Sequence, residues 1–181
     1  EAKLRNINAF SRFLESAAFS NGEIVNYSNI ASDCGVSSVT VKEYFGILEE
    51  TLIGRFVPAF TKKAKRRVVN SPKFYYFDIG VANYLLNIHQ LSEKTEAYGK
   101  AFEHFVYLEL FAYSKYSELN FDISYWRTTS QLEVDFVIGN AEIAIEVKST
   151  DNVQNKHLSG LKRFAEDYKV ERLIVVSNDK Y

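Results

Sequence analysis

The sequence predicts a mixed α+β and α/β protein in two units: a helical unit over residues 1–91 and a sheet-bearing unit over residues 92–181. Three observations predict it. Apolar residues recur at helical spacing through most of the first half. Between Phe121 and Lys148 the period changes to two, the signature of strands. A last helix and strand, from Leu158 to Ser177, must cross back over the sheet, so that its strand lies parallel to the one before it.

Composition supports a folded chain. The 181 residues are 46% hydrophobic and 25% charged, enough to build a core and too apolar to stay disordered. The single Cys34 excludes a disulfide framework within the chain and a multi-cysteine zinc site. No apolar run approaches the roughly 18 residues of a membrane span, and the charged first residues do not read as a signal peptide. These features lead us to expect a cytoplasmic protein with no membrane partner. The sequence contains no Met, from which we expect a piece of a longer chain.

A net charge of -1 argues by itself against nucleic acid, but the charge is unevenly placed. Residues 1–91 carry 11 Lys+Arg against 8 Asp+Glu, and residues 92–181 carry 11 against 15. From Arg55 to Lys73 there are seven basic residues and no acidic one. A polar run from Leu91 to Thr95 separates the halves.

In the first half, Leu4, Ile7, Phe10, Phe13, Leu14 and Ala17 mark a helix that Asn21-Gly22 ends. Ser28 is the expected cap of a second, short helix, Gly35 a turn, and Ser37 or Ser38 the cap of a third helix through Val39, Val41, Tyr44, Phe45 and Leu48. Helix, glycine turn, helix is the helix-turn-helix pattern, which serves either to enter a major groove or as a plain packing module. Strand-like runs at Leu52–Val57 and Phe74–Phe77 flank the basic segment, so the unit reads as a winged helix with a basic wing. Lys42 on the third helix and Lys62, Lys63, Lys65, Arg66 and Arg67 in the wing are the candidate DNA-backbone contacts. Asp78 is read as the cap of a helix beginning at Ile79.

In the second half, Gly99 to Tyr113 reads as a helix whose apolar row includes one carboxylate, Glu103. Such a residue either snorkels at the stripe's edge or is paired or metal-bound. His104 is read as a surface or satisfied residue. Strands follow at Phe121–Trp126, Val134–Ile138 and Ile143–Lys148. If Gly139-Asn140 makes a two-residue hairpin loop, or a four-residue loop forms, Asp135, Glu146 and Lys148 share one face; a three-residue loop would separate them. Two neighbouring carboxylates can hold a divalent cation, which polarises a phosphate, while a lysine orients water and offsets developing charge. A plain salt-bridge ladder on an exposed sheet is the alternative, against which the near-continuous apolar runs around these residues weigh. The strand Arg172–Ser177 is expected to be buried.

The order helix, three strands, helix, strand, with Glu103, Asp135 and Glu146-Val147-Lys148, resembles the PD-(D/E)xK nuclease superfamily. Phe102-Glu103-His104-Phe105-Val106, Tyr125-Trp126-Arg127-Thr128, Glu133-Val134-Asp135-Phe136-Val137 and Ala144–Ser149 more closely resemble the C-terminal region of prokaryotic AAA+-type ATPases. Lys73–Gly80 and Val36–Leu48 resemble the winged-helix part of that region. The resemblance implies a restriction-endonuclease-like domain with a mixed sheet. It implies that Glu103, Asp135 and Glu146 hold Mg²⁺ or Mn²⁺, converging on one cation, and that Lys148 is the catalytic lysine. Two departures stand out: Val134 replaces the proline that names the superfamily, and no Gly-x-x-x-x-Gly-Lys-Ser/Thr occurs. ATP is therefore expected to bind only through an upstream ATPase domain, a partner on the same longer chain, and DNA is the expected external partner.

Overall fold

The computed structural model describes residues 6–62 and 66–180. Among the described residues, six helices and six strands follow in the order α1 (Ile7–Phe19), α2 (Tyr27–Cys34), α3 (Ser38–Glu50), β1 (Gly54–Val57), β2 (Lys73–Tyr76), α4 (Ile79–Leu85), α5 (Glu96–Tyr116), β3 (Ile123–Arg127), β4 (Glu133–Ile138), β5 (Ile143–Lys148), α6 (Ser159–Asp167) and β6 (Arg172–Ser177), with a 3-10 turn (Asn155–Leu158) before α6. Two units form. One takes the residues up to Phe56 and Pro72–Gln90, and the other takes Val57–Ser71 and everything from Leu91.

In the first unit the helix starts are set by capping side chains. Asn26, not Ser28, caps α2, accepting from the N–H groups of Ser28 and Asn29 at 3.1 Å each. An Asn two residues earlier reaches the free N–H groups, and Ser28 falls inside the helix. Gly35 stands at φ 66°, the left-handed C-cap conformation, and Ser37 caps α3 by accepting from the Thr40 N–H at 3.1 Å. Asp78 caps α4, accepting from the Val81 N–H at 2.9 Å. The core is aromatic: Phe45 packs edge-on against Phe13 at 4.8 Å and against Phe74 of β2 at 4.8 Å. This contact holds α1, α3 and the β1–β2 pair together.

The segment between β1 and β2 does not stay with that pair. It belongs to the second unit, where it covers the outer edge of β3. Tyr125 donates its N–H to the Pro58 carbonyl and accepts from the Phe60 N–H; Val69 donates to the Arg127 carbonyl, and Thr129 to that of Arg67. The segment expected as a basic wing is thus a strap on the sheet, and residues 57–71, expected in the first domain, cluster with the second unit. The charge division changes with it. The first unit has 6 Lys+Arg against 8 Asp+Glu, and the second has 16 against 15.

The second unit's sheet has the order β3-β4-β5-β6. β3–β4 and β4–β5 are antiparallel, and β5–β6 is parallel, as the crossover through α6 requires. Phe136 pairs with Ile145 and Ile138 with Ile143, so the hairpin loop is the four residues Gly139–Glu142. The register along β3–β4 slips: Ser124 pairs with Val137, but Trp126 pairs with Val134. Asp135 and Phe136 together therefore oppose the single residue Tyr125, a β-bulge. β6 differs from expectation. It is an edge strand, with Arg172 and Leu173 exposed and the rest half-buried. The α6 face is packed by Trp126, Val134, Val137, Ala144, Leu161 and Phe164, with Phe60 of the strap. The opposite face meets α5, where Tyr107 stacks on Phe136 at 6.2 Å.

Gly160 lets α6 approach the backbone of β4, because a Cβ there would run into the Glu133 carbonyl oxygen. Gly160→Ala is expected to destabilise the protein by about 2 kcal/mol or more, as overpacking against rigid backbone does. Equilibrium denaturation checks this, and an unchanged midpoint would contradict it.

Candidate functional site

The bulge and the hairpin register act on the same residues. Continuing the β4–β5 register by one step sets Asp135 opposite Glu146. There the ladder is taken over by a side chain: the Val147 N–H donates to Asp135 Oδ2 at 2.7 Å. Both acidic side chains are only 8% exposed. The Lys148 ammonium lies 2.5 Å from Glu146 Oε1 and 3.7 Å from Asp135 Oδ2, and it donates to the Val147 carbonyl at 3.1 Å. One oxygen from β4 and two from β5 thus face one cationic nitrogen.

The electrostatics follow from burial. Desolvation raises the Glu146 pKa; Lys148 opposes this, and the nearby Glu133 and Glu103 reinforce it. Burial pulls Lys148 down, but Asp135, Glu146 and Glu103 more than compensate and hold its ammonium above the ordinary lysine value. Glu133 also pairs with Arg127 across the β3–β4 ladder at 3.1 Å.

Beside this cluster lies an open cleft of about 1060 Å³, formed within the second unit. Glu103 and Gly99 of α5, Val147 and Lys148 at the end of β5, and Ser149 and Thr150 just beyond it line its walls. Tyr98, Lys94 and Lys180 also line it. Of these last residues, Lys94 falls in the polar run Leu91–Thr95, and Tyr98 and Lys180 carry no pattern in the sequence.

The structure brings Asp135, Glu146 and Lys148 together and places Glu103 in the adjoining cleft. Among the described residues, no three His, Cys, Asp or Glu side chains stand close enough to hold a metal ion. The expected convergence of Glu103, Asp135 and Glu146 on one site is not seen among the described residues: Asp135 and Glu146 converge on Lys148, and Glu103 stands on the cleft wall. The chemistry of the pair does fit a hard divalent cation. Its donors are carboxylate and peptide oxygens, and Glu146 Oε2 is a buried acceptor with no hydrogen-bond partner. His104 is buried on α5.

The candidate phosphate contacts are scattered. Lys42 lies 5.3 Å over the Tyr27 ring in the first unit. Lys62 donates to Asn140 Oδ1. Arg66 pairs with Asp167 at 2.8 Å and Glu166 at 3.2 Å, so α6 carboxylates already hold its guanidinium. Arg67 is exposed. Lys63 and Lys65 lie outside the described residues.

Comparison with known proteins bears on the whole chain. Residues 1–92 match the family model described as a domain of unknown function, DUF8612. The chain belongs to the DUF8612 family. Residues 98–181 match a second domain of unknown function, DUF4143, so the two matched regions of this DUF8612 protein meet where the sequence turns polar. It is 26% identical over 162 residues to the uncharacterized protein Mb2031c of Mycobacterium bovis and, to the same extent, to the uncharacterized protein Rv2008c of Mycobacterium tuberculosis. The match covers 86% of this chain and 35% of each relative, so the chain spans about a third of their length. No solved structure matches. Among the described residues, no helix is long and apolar enough to cross a membrane.

The raised Glu146 pKa has a defined sign in stability. The folded state holds a proton more tightly than the unfolded state, so folding is most favoured below the ordinary glutamate value of 4.5 and loses that contribution as pH rises through the higher folded value. The stability of the protein minus that of Glu146→Gln is expected to fall over this range in pH-dependent denaturation. A difference that rises with pH would contradict the assignment.

Proposed function

We propose that the second unit is a metal-dependent, nuclease-like module that hydrolyses DNA phosphodiester bonds within a longer, AAA+-type ATPase chain, and that the first unit meets the DNA backbone through its α2–α3 helix-turn-helix. The observation that carries this reading is the meeting of Asp135, Glu146 and Lys148 at a β-bulge beside an open cleft. The order of elements in that unit, helix, three strands, helix, strand, supports its restriction-endonuclease-like character.

Asp135 and Glu146 are the residues that would hold Mg²⁺ or Mn²⁺. When bound, such an ion supplies a Lewis acid for the phosphoryl oxygen and a more acidic water. Lys148 is the group that donates to the phosphate and offsets the charge that develops on it. Glu103, on the cleft wall, adds negative potential that keeps that lysine protonated. Lys42, Lys62 and Arg67 provide positive charge for phosphates, whereas Arg66 is committed to α6. ATP enters this account only through the rest of the longer chain.

One observation favours a second reading. The three acidic residues do not form a ligand group among the described residues, which suits a catalytically inactive module that docks on DNA or protein and regulates the ATPase. A cleavage assay on single-stranded and duplex DNA with Mg²⁺ or Mn²⁺ separates the two. Under the nuclease reading, Asp135→Asn and Lys148→Met each reduce cation-dependent cleavage by about 10²–10³-fold, the scale of losing one transition-state contact. Cleavage that survives both substitutions would place the activity elsewhere. No cleavage with either ion would leave the docking reading. DNA affinity is expected to fall steeply with salt, and a flat dependence in a binding titration would remove the backbone contacts.

A further inference from the structure

We infer that Lys148 is a built-in competitor for the cation site: its ammonium occupies the oxygens of Asp135, Glu146 and Val147 and must swing into the cleft before a divalent ion can bind. The inference rests on the nuclease reading and adds a control step to the same site.

A hard cation seeks several oxygen donors, of which carboxylates and peptide carbonyls are the usual protein examples. The Lys148 nitrogen already gathers Glu146 Oε1 at 2.5 Å, the Val147 carbonyl at 3.1 Å and Asp135 Oδ2 at 3.7 Å. An ammonium and a divalent ion cannot share these oxygens, because like charges at such separations repel strongly away from bulk water. The same nitrogen also shields the two carboxylates from each other. This explains how both stay buried in a folded protein.

Lys148 has somewhere to go. Its side chain is 35% exposed, unlike the 8% of each carboxylate it holds. It lines the cleft together with Glu103, whose charge already acts on the ammonium. A flexible four-carbon stem allows the swing without backbone movement. One side chain then has two stations. At the first it closes the acidic pair, and at the second it stands beside Glu103, on the substrate side.

Mn²⁺ binding to the chain, measured by calorimetry without DNA, tests this. Lys148→Met and Lys148→Gln are expected to bind Mn²⁺ about tenfold or more tightly than the unchanged protein, the scale of one charge-assisted hydrogen bond no longer in competition. Lys148→Arg keeps a cation on those oxygens and is expected to show no gain. Glu146→Gln is expected to lose the binding. Equal or weaker binding in Lys148→Met and Lys148→Gln, with loss in Glu146→Gln, would overturn the competition while leaving the metal site of the nuclease reading in place. No Mn²⁺ binding in any of these proteins would overturn both. Melting of each variant without metal distinguishes a folded non-binder from an unfolded one, and Lys148→Gln serves where Lys148→Met does not fold.

Discussion

Two carboxylates buried side by side on adjacent strands repel each other and lack the water that would screen them. The ammonium of Lys148 resolves this for Asp135 and Glu146, and much of the second unit is arranged so that the three can meet. The four-residue loop Gly139–Glu142 fixes the register that sets Asp135 against Glu146. The bulge at Asp135-Phe136 changes the course of β4 where the acid must be aimed, and the Val147 N–H holds the carboxylate there. The parallel pairing of β5 with β6 anchors Glu146 and Lys148 from the other side. Fold and site are thus one problem of register: a one-residue slip in the hairpin would send these side chains to opposite faces.

Much of this was legible from residue type and spacing. Capping chemistry is local, so Ser37, Asp78 and Gly35 declared their roles. Period and crossover rules gave the mixed sheet, and the alternation through Asp135 and Glu146-Val147-Lys148 put three charges in one place before any coordinates did. The hairpin loop was open between two and four residues, because Gly139-Asn140 suits the short turn while the register needs the longer one. The bulge was not legible. It lies in the pairing of β4 with β3, which no pattern in β4 alone records. The exposure of β6 was likewise hidden, since Leu173–Val176 reads as a buried run but forms the sheet's edge.

The basic segment shows the same limit on a larger scale. In sequence it lies between β1 and β2, an order that by itself implies a wing. Its backbone instead satisfies the free edge of β3, and Phe60 enters the second unit's core. A strap of this kind removes an edge that would otherwise invite pairing with another chain. It also moves the positive charge: the near-neutral second unit holds the basic residues and the acidic cluster together, so the net charge of -1 is the sum of two nearly balanced units.

The account centres on Asp135 and Glu146 as one oxygen site that Lys148 guards. Anomalous X-ray diffraction from crystals of the chain soaked in Mn²⁺ tests it most directly. One strong peak in direct coordination with both carboxylates is predicted, with the Lys148 side chain turned away into the cleft. A peak elsewhere on the protein, or Lys148 still seated between Asp135 and Glu146 at saturating Mn²⁺, would contradict it.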